Sequence, residues 1–176
     1  MNLPIVFWFT GLSGAGKTTL ANGLQAILQN HKILSRILDG DEMRKGLCSD
    51  LGFSLKDRSE NIRRIAECAK IVTEAGFACS VACITPLHSQ RMLAKQILSD
   101  RYVEIFVSCS LEQCQKRDVK GLYGRFGAGM LEDFTGFSSP YEEPATPDLV
   151  LKTETNSLQS CLDDMHAFVK KRFFVG

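Results

Sequence analysis

Gly11-Leu12-Ser13-Gly14-Ala15-Gly16-Lys17-Thr18 decides how the rest of this chain is read. The eight residues match G-x-x-x-x-G-K-[ST] in full, the pattern of a loop whose backbone N–H groups turn inward around phosphate oxygens. The glycines let the backbone approach an anion closely. Lys17 brings a positive charge to the outer phosphates and Thr18 offers a hydroxyl to Mg²⁺. The helix that begins near Lys17 turns the positive end of its dipole toward the anion. Gly11 to Thr18, with Thr19 beside them, are therefore the candidates for holding ATP. A glycine-rich strand–helix turn with no ligand is the alternative. Context disfavours it, because the motif lies between an apolar run, Ile5-Val-Phe-Trp-Phe9, and a helical stripe of Leu20, Leu24, Ile27 and Leu28.

Outward from the motif, short β-rich runs alternate with helical patterns. A helix is expected over Lys17 to Asn30 and a strand over Ile33 to Leu38. Ser54-Leu-Lys-Asp57 resembles a capping box. The helix after it carries Ile62, Ile65, Ala66, Ala69 and Val72 on one stripe and stops near Gly76. Strands are expected at Phe77 to Ile84, Tyr102 to Val107 and Leu149 to Leu151. Helices are expected at Ser89 to Leu98, Leu111 to Arg117 and along Leu158, Cys161, Leu162, Met165, Phe168 and Val169. Between Asp118 and Pro147 glycine and proline break the pattern. A loop that long inside a domain is usually functional, and residues 118–147 read as a mobile lid. The expected fold class is α/β, of the P-loop NTPase type. It has a mostly parallel central sheet, helices on both faces and one domain over residues 1–176.

Composition narrows the function. Apolar residues make up 44% of the 176, enough for a single core. The balance of 21 basic against 20 acidic residues argues against a broad nucleic-acid or anionic-membrane surface. No apolar run approaches the roughly 20 residues of a membrane span, and the chain opens without the layout of a leader. The expected address is the cytoplasm. Seven cysteines, at 48, 68, 79, 83, 109, 114 and 161, form no Cys-x-x-Cys pair and read as reduced thiols.

A phosphate loop alone does not choose among kinases, GTPases and motor ATPases, although the GTPase Asn-Lys-x-Asp motif is absent. Ile37-Leu38-Asp39-Gly40-Asp41 ends the second strand with two carboxylates, which would face the crevice at the carboxyl edge of a parallel sheet. A solvated Asp-Gly turn is the other reading. Arg44 follows Asp41 by one helical turn. Arg58 and Asn61 share a helix face, and Arg63 and Arg64 come next. An arginine run on a helix is ordinarily a solvated face, but this run begins just after a loop carrying Phe53. Phe53 and Phe134 sit in glycine-containing loops, where either base stacking or core packing would explain a large ring.

Taken in order, these segments resemble the adenylyl-sulfate kinase (APS kinase) family from Val6 to about Thr153. The likeness runs through Trp8 to Lys17, Leu38-Asp-Gly-Asp41 with Arg44, Cys48-Ser-Asp-Leu-Gly-Phe53 and Asp57-Arg58. It continues in Glu60-Asn-Ile-Arg-Arg64, Arg117-Asp-Val-Lys-Gly-Leu-Tyr123, Phe134-Thr-Gly136, Pro140-Tyr-Glu142 and Leu149 to Thr153. The resemblance implies that the 3′-hydroxyl of adenylyl sulfate attacks the γ-phosphate of MgATP, giving 3′-phosphoadenylyl sulfate and ADP. It implies a homodimer as well. Asp41 would orient the hydroxyl or take its proton, with Lys17 and Mg²⁺ neutralising charge on the transferred group. Thr18 and Asp41 would serve the metal. Arg44, Arg58 and Lys120 would meet the acceptor's sulfate and phosphate. Phe53 and Phe134 would hold its adenine, Asn61 would hydrogen-bond it, and Ile84 and Thr85 would wall it. Arg117 and the segment after Thr153 would lie near the ATP base.

The chain departs from the family twice. Family members usually read Ile-Ser-Pro, with the serine as a phospho-acceptor, where this chain has Ile84-Thr85-Pro86. Thr85 thus stands among the catalytic candidates, although direct transfer requires no phosphoenzyme. In the lid, the common Lys-Lys-Ala-Arg-Ala-Gly is replaced by Gly124-Arg-Phe-Gly-Ala-Gly129. Fewer charges and more glycine predict a lid that is costlier to order and a slower or altered closure. A related small-molecule kinase with a shifted acceptor and a non-catalytic nucleotide-binding module are the rival readings.

Overall fold

β1 (Val6–Thr10) is buried along its whole length, and the rest of the architecture follows from that. A strand covered on both faces reads as an uninterrupted apolar run and belongs in the middle of a parallel sheet. A computed structural model of the chain describes residues 4–118, 121, 124, 135 and 139–173, with the backbone alone at 172 and 173. Among them β2 (Ser35–Asp39), β3 (Ala78–Ala82), β4 (Tyr102–Ser108) and β5 (Leu149–Lys152) join β1 in one sheet of order β2-β3-β1-β4-β5. Every pairing is parallel, and β1 pairs with β3 from Val6↔Cys79 and with β4 from Val6↔Tyr102.

Helices among the described residues include α1 (Lys17–Asn30), α2 (Gly40–Lys45), α3 (Leu55–Glu74), α4 (His88–Leu98), α5 (Leu111–Arg117) and α6 (Leu158–Phe173). Alternation along β1 divides the core between two layers. Phe7 and Phe9 pack with Leu20, Leu24 and Leu28 of α1 and Met165 and Val169 of α6. Val6 and Trp8 pack with Ile62, Ile65, Ala66 and Ala69 of α3 and Ala94 and Leu98 of α4. Each fully buried large side chain contributes about 1.5–3 kcal/mol, so β1 is the strand whose loss the fold tolerates least. The parallel sheet with helices on both faces is the expected class.

Element boundaries follow local chemistry. Ser54 caps α3 by accepting from Asp57 N at 3.1 Å, and its hydroxyl donates to the Asp57 carboxylate at 2.8 Å. Gly76, at φ +89°, takes the left-handed residue that ends the same helix. β3 stops at Ala82, two residues before the expected end, because the chain then turns into the strained segment around Thr85. The Asp39-Gly-Asp41 stretch is the start of α2, with Asp39 as its N-cap, and not a plain turn. All seven cysteines are free. Among the described residues no helix is long and apolar enough to cross a membrane.

Candidate active site

The carboxyl ends of the strands deliver the functional residues to one edge of the sheet, where ligand crevices of open parallel sheets form. β1 runs directly into the phosphate loop. Gly11, Gly14 and Gly16 take φ of +152°, +80° and +103°. At Gly11 a Cβ would stand 2.5 Å from the Val107 carbonyl oxygen, so only glycine fits beside β4 there. Lys17 Nζ donates to the Gly11 and Leu12 carbonyls at 2.9 and 2.7 Å, which draws the ammonium over the loop. From outside, Arg117 Nη1 donates to the Gly14 carbonyl at 3.5 Å, and Arg117 also bonds the Thr153 hydroxyl and carbonyl. Thr153 Oγ1 in turn donates to the Ala15 carbonyl at 2.8 Å. Ser13 and Ala15 are buried within this brace. Thr19 is exposed in the first turn of α1.

Thr18 and the end of β2 meet directly. Thr18 Oγ1 donates to Asp39 Oδ2 at 2.6 Å, while Asp39 Oδ1 accepts from Asp41 N at 2.9 Å. The carboxylate joined to Thr18 is therefore that of Asp39, a residue not named beside Thr18 and Asp41 among the expected metal ligands. The reason is local: Asp39 is the N-cap, so its side chain folds back over the helix start, and Asp41 stands exposed in the first turn of α2. A hydroxyl and a carboxylate beside a phosphate cradle are the hard oxygen donors that Mg²⁺ takes from a protein when phosphates and water supply the rest. The residues present fit that ion.

On the acceptor side, the ring of Phe53 is 54% exposed and flanked by two guanidinium groups. Arg44 Cζ lies 4.4 Å and Arg58 Cζ 5.7 Å from its centroid. The core-packing alternative for Phe53 is thereby removed. Arg44 is held by the Leu51 and Gly52 carbonyls at 3.2 and 3.0 Å. Arg58 Nε donates to the Phe53 carbonyl at 2.7 Å and its Nη1 to Thr135 Oγ1 at 2.7 Å. Asn61 is 3% exposed and its Oδ1 has no partner among the described residues. Buried acceptors of that kind call for a donor. Arg63 and Arg64 behave differently. Both bond Glu60 within α3, and Arg64 also bonds Asp50, so Arg64 braces the helix against the preceding loop. The Arg63 guanidinium, followed by that of Arg64, holds the Glu60 carboxyl down to about 2.

Ile84 and Thr85, expected to wall the acceptor, lie beside the start of the phosphate loop. Thr10 Oγ1 donates to the Ile84 carbonyl at 2.7 Å, and Gly11 N to the same carbonyl at 3.4 Å. The Thr85 side chain is 0% exposed. Its hydroxyl accepts from Trp8 Nε1 at 2.9 Å and donates to the Cys83 carbonyl at 3.4 Å. Sequence reasoning placed Asp39 at the crevice without a role and missed two contributors outright. Asp39 was indistinguishable from Asp41 until the cap formed. Thr10 and Tyr141, whose hydroxyl lies 3.2 Å from Thr10 Oγ1, meet across 131 residues of chain. The Tyr141 ring stacks on Phe106 at 6.4 Å, and burial pushes its hydroxyl up to about 12. Lys120, Phe134 and most of the expected lid lie outside the described residues.

Comparison with known proteins gives the same picture. A family model for adenylylsulphate kinase matches residues 3–152. The chain is 45% identical over 175 residues to an adenylyl-sulfate kinase from Acaryochloris marina, spanning 99% of this chain and 85% of that protein. The Mycobacterium tuberculosis APS kinase CysC, solved in complex with AMPPNP and APS, matches with a TM-score of 0.91 at 37% identity, over 97% of this chain and 99% of that one. A hexameric APS kinase from Thiobacillus denitrificans matches with a TM-score of 0.71 at 28% identity, over 98% of this chain and 30% of that one. A complete phosphate loop, an arginine-flanked aromatic ring at the same sheet edge and kinship along nearly the whole length converge, and the chain belongs to the adenylyl-sulfate kinase family of enzymes.

Proposed function

We propose that this chain transfers the γ-phosphate of MgATP to the 3′-hydroxyl of adenylyl sulfate, releasing 3′-phosphoadenylyl sulfate and ADP. The observation that carries this reading is the meeting of donor and acceptor halves at one sheet edge, joined by the Thr18–Asp39 bond of 2.6 Å. The phosphate loop from Gly11 to Thr18 and the Lys17 ammonium bind and orient the triphosphate. Arg117, which with Thr153 braces the loop from outside, and the segment after Thr153 flank the ATP base. Asp41, in the first turn of α2, orients the acceptor hydroxyl and takes its proton. Arg44 and Arg58 meet the sulfate and phosphate of the acceptor, with Lys120 as a third cation. Phe53 offers its ring to the adenine, with Phe134 opposite, and Asn61 Oδ1 accepts from the acceptor.

Thr18 and Asp39 would hold the Mg²⁺, with Asp41 nearby. When bound, the ion neutralises charge on the phosphoryl group. Thr85 serves as wall and not as phospho-carrier, since its hydroxyl is buried against Trp8. The assembly we propose is a homodimer, and the compartment is the cytoplasm, where ATP is supplied. The test is ADP release measured with adenylyl sulfate, with other nucleotides and with small hydroxylated metabolites. Turnover is expected with adenylyl sulfate. Turnover only with another acceptor, or none with any, would overturn the reading.

A further inference from the structure

Behind the expected acceptor wall lies a charged pair, Arg91 buried and Glu104 mostly so, with no role in the proposed transfer. Arg91, on α4, is 4% exposed. Its Nη1 donates to the carbonyls of Thr85 and Pro86, both at 3.2 Å. Its Nε stands 3.4 Å from Glu104 Oε1 on β4. The Tyr102 hydroxyl donates to the same Glu104 oxygen at 3.1 Å. Burial pushes the Glu104 carboxyl upward, with Tyr102 and then Arg91 pulling it back.

A buried ion pair is rarely the cheapest way to fill a core, because apolar residues of similar volume usually do as well. The pair therefore calls for a purpose beyond stability, and the carbonyls it holds supply one. Thr85 sits at φ +45°, a left-handed conformation that β-branched residues avoid. Such a residue persists only where its surroundings over-determine it. Here Trp8 Nε1 fixes the Thr85 hydroxyl, and Thr10 Oγ1 and Arg91 Nη1 reach its carbonyl at 3.3 and 3.2 Å. Of these three, Arg91 alone also takes the next carbonyl, that of Pro86. A planar guanidinium with several fixed donors can span two carbonyls and a carboxylate together, which an ammonium point charge cannot do in the same geometry.

We propose that Arg91 is a positioning residue for the acceptor: by holding the Thr85 and Pro86 carbonyls it keeps the left-handed kink that shapes the acceptor wall, and Glu104 balances its charge. The inference rests on the reading above that Ile84 and Thr85 line the acceptor site.

Two variants test it. Arg91→Lys keeps a cation beside Glu104 but loses the fork. The double variant Arg91→Met/Glu104→Gln removes both charges and so leaves no unpaired carboxylate inside. KM for each substrate is measured together with the emission of Trp8, the single tryptophan of the chain, whose N–H bonds Thr85. In both variants KM for adenylyl sulfate is expected to rise roughly tenfold or more. KM for ATP should stay within about twofold, and Trp8 emission should shift. Equal changes in both KM values, no change in either, or unshifted Trp8 emission would overturn the proposal. If the unaltered chain fails to turn over adenylyl sulfate, the functional reading falls instead, and Trp8 emission alone then decides whether Arg91 holds the wall.

Discussion

The phosphate cradle presents backbone N–H groups and one ammonium. Its shape is held by three glycines and by a brace of Arg117 and Thr153 outside the loop. The expected acceptor side presents side chains: a ring with two guanidinium groups near it, a buried amide oxygen with no partner among the described residues, and the Thr85 segment pinned by Trp8 and Thr10. The first construction is generic, since any phosphate fits a ring of N–H donors. The second is specific in the proposed reading, where each side chain would meet one feature of the acceptor. Donor recognition should therefore collapse when a single charge is removed from the loop. Acceptor recognition should erode one contact at a time.

The largest effect tests the first half of that contrast. Lys17→Ala is expected to lower kcat/KM by roughly 10³-fold, and a loss no larger than that of a single acceptor contact would erase the distinction. Next is the residue at the join. Asp41→Ala should reduce kcat roughly 10²-fold or more with ATP affinity retained; unchanged turnover would remove Asp41 from the chemistry. Arg58→Ala should raise KM for adenylyl sulfate by about 10- to 30-fold while KM for ATP holds. Equal shifts in both would mean that Arg58 supports the fold and not the acceptor.

The smallest effect separates the braces from the contacts. Glu60 is held to about 2 by Arg63 and Arg64. A depressed carboxylate stabilises fully above its unfolded value near 4.3, and that contribution is lost as pH falls toward about 2. Glu60→Gln should therefore lower the urea midpoint slightly at about pH 6 and converge with the unaltered chain near pH 2. KM for adenylyl sulfate should not move. A rise there would put Arg63 and Arg64 among the acceptor contacts after all.

Legibility in the sequence divides along the same line. α1 begins and ends where its stripe predicted, at Lys17 and Asn30, because motif, strand and helix are contiguous. α2 was hidden, since six residues show no period and Asp39-Gly-Asp41 is also turn chemistry. The Thr18–Asp39 bond joins residues 21 apart, and the Trp8–Thr85 bond residues 77 apart. Patterns read by local spacing cannot find such pairs. The arginine run shows the same limit. Spacing put Arg58, Arg63 and Arg64 in one class, and only the positions of Phe53, Glu60 and Asp50 separate the contact from the braces. The chemistry expected of Lys120 and Phe134 stays with the family resemblance, as both lie outside the described residues.

The place of β1 in the sheet has a consequence for synthesis. β1 is central, yet its neighbours β3 and β4 begin at Ala78 and Tyr102. On a ribosome adding about 5–20 residues per second, Val-Phe-Trp-Phe would wait roughly 4–15 s for its first partner. For that interval the most apolar segment of the nascent chain has no edge to pair with. Chaperone binding at the tunnel exit, or slower decoding after β3, would then change the yield of folded protein without touching a single contact of the finished site.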